Sequence, residues 1–318
     1  THRVARLHRE RLVGKKFTAW SPNGRFTEGA KAIHGKTFSR IEAHGKNIFA
    51  FFGEPERSST KEDDETTVVM HVHFGMAGAW AVYLNEDEAP SEPSKTNRLR
   101  LECPGIVADL SAMTVQHGGM ELYDTKRSKL GEDPLRQDAD PEALWLRIRK
   151  SKKSIGALIM DQSFFAGPGN IYRAEILFKA GIHPDRPGMM LQKAEFDKIW
   201  YHSVALLQRG YQTGSILTVD AEDAISLGKP NMRRYIYNTS TCPFCKSPIK
   251  SWPINNRTCY ACPQCQPTIT AEPATSPVSS EPAVVTPTKK DHVPFNSHCA
   301  RESMESRLQE TGPARLTV

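Results

Sequence analysis

Short apolar segments separated by turn residues occupy roughly the first 117 positions of the chain. Four of these segments are predicted strands: residues 37–43, 47–52, 68–73 and 99–107. His44-Gly45-Lys46 lies between the first two and predicts a β-hairpin turn. A basic helix is predicted ahead of the strands, near residues 4–13. The pattern as a whole predicts an N-terminal β-sandwich.

From about residue 118 the apolar positions recur at helical spacing. Asp140-Pro141 is typical of the start of one helix, and Ser154 is typical of the start of another. Asn170 is predicted to cap a helix over residues 171–179, because its side chain can accept a hydrogen bond from a free backbone N–H. Gly181 is predicted to end that helix. The middle part of the chain is therefore predicted to be helical.

The C-terminal part changes composition twice. Residues 229–266 are basic and rich in cysteine, and they are too few to form a core of their own. Residues 267–294 contain six prolines together with Ser, Thr and Ala, and such a segment cannot bury enough apolar surface to fold. We predict an α+β multidomain protein. Its predicted parts are a β-sandwich (1–117), a helical domain (118–228), a cysteine-rich finger (229–266) and a disordered tail (267–318).

Composition excludes some classes of protein. The chain has 318 residues, of which 38% are hydrophobic and 25% charged, ordinary values for a globular protein. Its longest apolar runs, such as residues 48–52, are far shorter than the roughly 18–20 residues of a membrane helix. The arginine-rich start lacks the apolar segment of a signal peptide. We expect an intracellular monomer without membrane contact, nuclear if the source is eukaryotic and otherwise cytoplasmic.

Charge is unevenly distributed, although the net value is only +6. Residues 1–50 hold eleven Lys or Arg against three Glu, and residues 229–266 hold six basic residues and no acidic one. A third basic cluster covers residues 147–153. Acidic residues concentrate in two polar stretches, 58–67 and 85–97, which predict solvated loops. The basic regions could line an anionic surface such as a nucleic-acid backbone, or they could be ordinary solvated faces.

Four of the seven cysteines form two Cys-x-x-Cys pairs, Cys242/Cys245 and Cys262/Cys265, separated by sixteen residues. This spacing predicts one structural zinc ion (Zn2+) held by four thiolates in a ribbon-like hairpin. Unligated thiols or two disulfides are the alternatives, but nothing else in the sequence indicates an oxidising compartment. Cys259 lies outside the pattern and is predicted to pack in the interior or to stay free.

The Gly167-Pro168-Gly169-Asn170 turn precedes an apolar helix. Free N–H groups at a helix start suit a phosphate, and Asn170 adds an amide donor, although a simple helix cap explains the same residues. The surrounding stretch is more specific. Residues 161–184, DQSFFAGPGNIYRAEILFKAGIHP, resemble the helix–two-turn–helix signature of the formamidopyrimidine-DNA glycosylase and endonuclease VIII family.

Three other segments resemble this family in the family's own order. The cysteine pairs, with Arg257 five residues before Cys262, are similar to its zinc finger. Residues 42–46 resemble its hairpin lysine segment, and residues 130–135 resemble its domain junction. The resemblance covers about residues 1–266. The opening Thr1-His2-Arg3, and the lack of the Arg-Arg-Phe-Gly loop near residues 109–114, favour the endonuclease VIII-like branch.

The resemblance implies roles for individual residues. Lys46 would assist β-elimination, and Arg257 would grip the phosphates beside the lesion and assist δ-elimination. Asn170 would bind the DNA backbone. Met76 would fill the space left by the everted base, and Lys129 would reach DNA from the domain junction. A core position for Met76, and a solvated surface position for Lys46 and Arg257, are the alternatives.

The start of the sequence departs from the family pattern. The family's nucleophile is an N-terminal proline followed by glutamate, and Thr1-His2-Arg3 resembles a segment about five residues later. An α-amino group has a pKa near 7.7–8.0, so it is partly neutral and can form a Schiff base. Either the printed chain lacks its first residues, which we favour, or the protein is a relative that only binds DNA. An N-terminal-threonine hydrolase is a third alternative without other support.

We predict a bifunctional DNA glycosylase and abasic-site lyase. It would remove oxidised bases, pyrimidines before purines, and nick the strand by β,δ-elimination. The expected partner is double-stranded DNA that contains oxidised bases or abasic sites. The alternative is a non-catalytic zinc-ribbon protein that binds damaged DNA. Borohydride trapping distinguishes the two, because only an enzyme that forms a Schiff base becomes covalently linked to DNA.

Overall fold

The structure, a computed structural model, describes residues 1–53 and 67–268. The predicted disordered tail beyond residue 268, and the predicted solvated loop over residues 58–67 except for its last residue, lie outside the described residues. None of the helices in the described ranges is long and apolar enough to cross a lipid bilayer.

The N-terminal part is a sandwich of antiparallel sheets. Its elements are α1 (His2–Leu12), β1 (Thr18–Trp20), α2 (Thr27–Ile33), β2 (Phe38–His44), β3 (Asn47–Phe52), β4 (Val68–His73), β5 (Ala79–Tyr83), β6 (Leu99–Cys103), β7 (Ile106–Ser111) and β8 (Thr114–Gly118). Within the described residues, one four-stranded sheet has the order β1-β6-β7-β5 and the other the order β2-β3-β4-β8. The predicted sandwich, the basic first helix and the β2–β3 hairpin are therefore confirmed.

The predicted strand over residues 99–107 is wrong in its extent. β6 ends at Cys103, the chain turns, and β7 returns antiparallel to β6 with Cys103 opposite Ile106. Gly105 in this turn has a φ of 75°, a left-handed conformation that glycine adopts at little cost. The sequence predicted one continuous strand because apolar residues lie on both sides of this turn.

β3 is buried on both faces, which explains its unbroken apolar sequence. Ile48, Ala50 and Phe52 belong to the sandwich core, while Phe49 and Phe51 point to the opposite side. There they contact the ring of Tyr123 at centroid distances of 5.1 and 5.3 Å. The second sheet is thereby fixed between its own core and the next helix.

The middle part is helical, as predicted. Its helices are α3 (Met120–Arg127), α4 (Pro141–Ile148), α5 (Ile155–Met160), α6 (Asn170–Ala180), α7 (Lys193–Thr213) and α8 (Ala221–Ser226). The Asp140 side chain accepts a hydrogen bond from the Ala143 N–H, and the Ser154 side chain accepts one from the Ala157 N–H. Gly181 ends α6 in a left-handed conformation with a φ of 72°. These two starts and this end are confirmed.

The cysteine-rich part contains an antiparallel hairpin of β9 (Lys250–Ile254) and β10 (Arg257–Ala261). It does not build a separate core. Cys242 and Cys262 instead belong to the same buried cluster as Ala174 and Phe178 of α6. The cysteine-rich segment, which is too short to form its own core, therefore buries its apolar residues against the helical part.

A buried carboxylate connects α6 to the chain that leads to this hairpin. Glu175 Oε2 accepts hydrogen bonds from the Thr218 hydroxyl at 2.6 Å and the Tyr235 N–H at 2.7 Å. Its Oε1 accepts from the N–H groups of Ile236 and Tyr237 at 2.9 and 2.8 Å. Four donors satisfy a charge that would otherwise be costly to bury. Glu175 thus fixes the path of the chain between α7 and the cysteines.

Candidate functional site

The turn of the β2–β3 hairpin lies directly against the turn that precedes α6. Gly45 has a φ of 59°, and a Cβ atom there would lie 2.9 Å from backbone atoms of Ala166 and Gly167. Only glycine permits this approach without displacing the backbone. The contact brings Lys46 to the turn, where its Nζ donates a hydrogen bond to the Pro168 carbonyl at 2.8 Å.

Asn170 does not cap its helix, so the predicted cap is wrong. α6 includes Asn170 as its first residue, and Gly169 occupies the cap position without a side-chain hydrogen bond. The Asn170 Nδ2 donates instead to the Thr258 carbonyl in β10 at 3.0 Å. Its Oδ1 accepts from Arg173 at 2.5 Å. Arg173 therefore occupies the oxygen that a helix cap would use, and the amide nitrogen binds a distant strand.

Arg173 is a buried residue of the site that the sequence prediction missed. Its side chain is fully buried, and one guanidinium nitrogen donates to Asn170 Oδ1 and to the backbone carbonyls of Arg257 and Thr258 at 3.2 and 3.0 Å. Arg173 therefore holds the start of β10 against the start of α6. The sequence carried a signal, since an arginine and a glutamate at positions 173 and 175 interrupt an otherwise apolar helix.

The site is electrostatically positive. Burial, and next the charge of Arg257, lower the pKa of Lys46 below its ordinary value. His73, at the end of β4, has its pKa lowered by burial and by the charge of Lys46. Such mutual effects occur only between neighbouring groups, so Lys46, His73 and Arg257 share one environment. An anion at this place would relieve the repulsion between the cations.

Asp133 connects the junction segment to the hairpin turn and to α1. Its Oδ2 accepts hydrogen bonds from the Gly45 N–H and from His2 Nε2, each at 2.6 Å, and its Oδ1 accepts from the Leu135 N–H at 2.9 Å. Burial alone would raise the pKa of Asp133, but these hydrogen bonds hold it below its ordinary value. The Asp133 carboxylate therefore holds the hairpin turn next to Lys46 in place. The sequence analysis did not identify this residue.

Met76 is 94% exposed in the loop between β4 and β5, which excludes a core position. Met113, 62% exposed, lies beside the neighbouring residue Gly75: its Sδ would be 3.2 Å from a Cβ atom placed there. Arg98 donates hydrogen bonds to the carbonyls of Ala112 and Met113 and so supports this second loop. Two flexible apolar side chains therefore project from one edge of the sandwich.

The structure brings together Lys46, Asn170 and Arg257, which lie far apart in the sequence. Met76 follows His73 by three residues, and His73 pairs with Asn47 next to Lys46, so the Met76 loop extends from the same end of the sheet. Lys129 lies exposed just after α3, in the segment that leads to the junction.

The predicted cysteine cluster is formed. The Sγ atoms of Cys242, Cys245, Cys262 and Cys265 all lie within 4.8 Å of one another. Three of the sulfur pairs are separated by 3.3, 3.7 and 3.8 Å. A zinc ion bound tetrahedrally with Zn–S bonds of ~2.3 Å requires sulfur separations of about 3.8 Å, so the four thiols fit a metal. Cys259 is buried apart from this cluster, as one of the two predicted alternatives has it.

Two sequence-family models match the chain over most of the part that the structure describes. The formamidopyrimidine-DNA glycosylase N-terminal domain matches residues 1–115, and the H2TH domain of the same enzyme matches residues 130–221. The fold and the site therefore define a multidomain DNA glycosylase. The chain belongs to the formamidopyrimidine-DNA glycosylase and endonuclease VIII family, as the sequence motifs predicted.

Individual relatives agree with this membership. The chain is 35% identical over 274 residues to Endonuclease 8 1 of Mycobacterium tuberculosis, covering 83% of this chain and 97% of that protein. It is 32% identical over 260 residues to the formamidopyrimidine-DNA glycosylase of Thermomicrobium roseum, with coverages of 75% and 84%. Its fold is similar to that of Lactococcus lactis Fpg in complex with DNA containing N7-benzyl-Fapy-dG. The TM-score is 0.66 at 22% identity, over 84% of this chain and 98% of that one.

The protein is a DNA glycosylase of base excision repair, and its family implies abasic-site lyase activity. The predicted enzyme class is therefore confirmed. Four cysteines near the end of the described residues are placed to bind a metal ion.

Proposed function

We propose that this protein is an endonuclease VIII-like enzyme that removes oxidised pyrimidines from double-stranded DNA and cuts the abasic site by β,δ-elimination. The convergence of Lys46, Asn170 and Arg257 on one positive site is the observation that supports this proposal. The higher identity to a relative named endonuclease 8 than to those named formamidopyrimidine-DNA glycosylase supports the branch.

Arg257 and Asn170 are proposed to bind the DNA backbone beside the lesion. The backbone of Arg257 is held by Arg173, so its side chain starts from a fixed point while remaining exposed. A guanidinium can form two parallel hydrogen bonds to a phosphate, which suits a clamp on the strand. The Asn170 amide is oriented by bonds at both of its ends, which prepares the start of α6 for a second phosphate.

Lys46 is proposed to assist β-elimination. In the family chemistry an amine attacks C1′ and the bond from C1′ to the base breaks. The bond from C1′ to the ring oxygen then breaks as well, which opens the sugar and forms a Schiff base. Loss of a proton from C2′ then breaks the bond from C3′ to its oxygen. A lysine with a lowered pKa gives up its own proton more easily and can then accept one, which suits this transfer. Arg257 would stabilise the departing phosphate in the following δ-elimination.

Met76 is proposed to enter the base stack, and Lys129 is proposed to reach the backbone from the junction. A base inside a duplex must leave the stack before its sugar can be attacked, and an apolar side chain can occupy the gap. The unbranched, exposed side chain of Met76 fits this task.

The cysteine cluster is proposed to hold one structural zinc ion. Four thiolates at tetrahedral separations are the ligand set that zinc prefers, and the ion would close the loops on both sides of the β9–β10 hairpin. We also propose the division of labour predicted from the sequence. Residues 1–117 carry catalysis, and residues 118–228 and 229–266 bind DNA as a monomer.

Borohydride trapping on DNA with one oxidised pyrimidine tests the proposal. The protein is tested in a form that carries the family's proline–glutamate start at the family's length, called here the proline-start form. The proline-start form should become covalently linked to DNA and nick it. Normal binding without trapping of the proline-start form would favour the non-catalytic alternative. Efficient trapping on 8-oxoguanine but not on oxidised pyrimidines would contradict the proposed substrate.

A further inference from the structure

Gln162 spans the turn before α6 with its terminal amide. Its Nε2 donates hydrogen bonds to the carbonyls of Met160 and Pro168 at 3.2 and 3.1 Å. Its Oε1 accepts a hydrogen bond from the Gly167 N–H at 3.0 Å. One side chain thereby connects the end of α5 to both sides of the Gly167–Pro168 peptide bond.

The arrangement requires a glutamine. Two carbonyl oxygens need a donor, and the Gly167 N–H needs an acceptor, so the side chain must offer both in a plane. A methionine of similar length offers neither. A glutamate offers only acceptors, and its charge would face two carbonyl oxygens. If the amide were rotated by 180°, its oxygen would face the two carbonyl oxygens and its NH2 group would face the Gly167 N–H, so all three hydrogen bonds would be lost.

The Pro168 carbonyl is also the acceptor of Lys46 Nζ at 2.8 Å. Gln162 and Lys46 therefore bind the same oxygen atom from two sides. The turn contains glycines at positions 167 and 169, of which Gly167 has a φ of 123°, so its backbone has little stiffness of its own. Fixing the Pro168 oxygen also fixes where the Lys46 ammonium lies.

We propose that Gln162 is a positioning residue that acts through the Pro168 carbonyl to hold Lys46 in the place where it assists strand cleavage. This inference rests on the role proposed above for Lys46. Gln162 itself touches no DNA in this scheme. A misplaced proton-transfer group slows the chemical step far more than it weakens substrate binding, because its geometry matters most in the transition state.

The test uses the full-length proline-start form and DNA with a preformed abasic site, so that base excision is not measured. Single-turnover nicking rates and dissociation constants are determined for Gln162→Met, Lys46→Ala and the double variant. Gln162→Met should slow nicking by about 10-fold while the dissociation constant changes by less than about 3-fold. In the Lys46→Ala background the same substitution should have no further effect, within about 2-fold.

The control is Gln192→Met. The Gln192 side chain also accepts a hydrogen bond from the backbone, at the start of α7 and away from the site. This variant should lower the melting temperature without changing the nicking rate. If Gln162→Met folds poorly, Gln162→Glu keeps the acceptor for the Gly167 N–H, loses both donors, and should show the same loss of rate.

The failures are distinguishable. If Lys46→Ala nicks at the unaltered rate, the role proposed for Lys46 is wrong and the inference falls with it. If Lys46→Ala is slow but Gln162→Met nicks normally, only the inference is wrong. Equal slowing by Gln162→Met in both backgrounds would show that Gln162 supports the fold and does not act through Lys46.

Discussion

Two buried histidines couple the stability of the sandwich to pH. His8 packs against Trp80 with ring centroids 4.5 Å apart, and its Nδ1 is 2.9 Å from the Val4 carbonyl. Burial lowers the pKa of His8 to about 3. Burial, and next the charge of Lys126, lower the pKa of His71 to about 4. Both imidazoles therefore remain neutral in the folded protein at pH values where an unfolded chain would protonate them.

The free energy of unfolding should fall as the pH drops below about 6.5, because the unfolded state then binds more protons than the folded state. Replacing His8 by phenylalanine removes one of these groups. The loss of stability between pH 7 and pH 5 should be about 1–2 kcal/mol smaller in His8→Phe, measured by urea unfolding. His117→Phe, which alters an exposed histidine, is the matched control. Equal pH dependence in all three proteins would contradict the prediction.

Residue types predicted which side chains matter better than they predicted what those side chains bind. Asn170 was predicted both as a cap and as a DNA contact, and the predicted cap is wrong because its Oδ1 accepts from Arg173, whose guanidinium also binds β10. Its Nδ2 donates to the Thr258 carbonyl, which lies 88 positions along the chain. Arg173 was missed for a related reason, since two of its acceptors, the carbonyls of Arg257 and Thr258, come from β10. Local preferences cannot foresee a partner that only folding brings near.

At the scale of elements, the β9–β10 hairpin depends on contacts at both of its ends. The cysteines form one end, and Arg173 with Asn170 holds the start of β10 at the other. Cys242 and Cys262 contribute to the cluster shared with α6. A metal ion at the cysteines would therefore stabilise the hairpin and, through it, the position of Arg257.

Removal of the metal by chelation, or Cys262→Ser, should abolish DNA binding while the N-terminal sandwich stays folded. The sandwich has a separate core, whereas the hairpin loses the interaction that closes its loops. Fluorescence anisotropy with lesion-containing DNA measures binding, and thermal unfolding followed by circular dichroism reports on the sandwich. Cys103→Ser, in β6, changes a thiol outside the cluster and should keep full affinity. Metal-free protein with unaltered DNA affinity would refute the structural role.

Periodicity and turn residues predicted α1, the strands β2, β3 and β4, and the helices α4, α5 and α6, with the end of α6 at Gly181. Several elements, such as β1, β5 and the long helix α7, were not predicted individually. Periodicity also could not give the order of strands in the sheets. β1 pairs with β6 and β8 pairs with β4, and such partners follow from packing of whole layers. Periodicity also missed the turn at Gly105, because two short buried strands in succession have the same apolar pattern as one long buried strand.

At the scale of the whole molecule, the site combines two of the basic regions seen in the sequence. Lys46 comes from residues 1–50 and Arg257 from residues 229–266, while the helical part supplies Asn170. The modest net charge of +6 conceals this concentration. Binding to DNA should therefore depend on a few well-placed cations and should weaken steeply with salt.

Arg257→Ala should weaken binding to all DNA sequences by a similar factor, because a phosphate contact carries no base information. The slope of log affinity against log salt should decrease by about one unit. Lesion preference should hardly change. Lys193→Ala is the control, since Lys193 is already paired with Glu142 and Asp197 at the start of α7. An unaltered slope in Arg257→Ala would show that this residue contacts no phosphate.

The hydrogen bonds that assemble the site span large separations along the chain. His2 and Asp133 are 131 positions apart, Lys46 and Pro168 are 122 apart, and Asn170 and Thr258 are 88 apart. During synthesis, a ribosome would release β10 last among these segments, long after the sandwich can fold. A partly made chain therefore has a folded first domain but no complete site. The order of translation itself would keep nascent copies from cutting DNA before they can hold it.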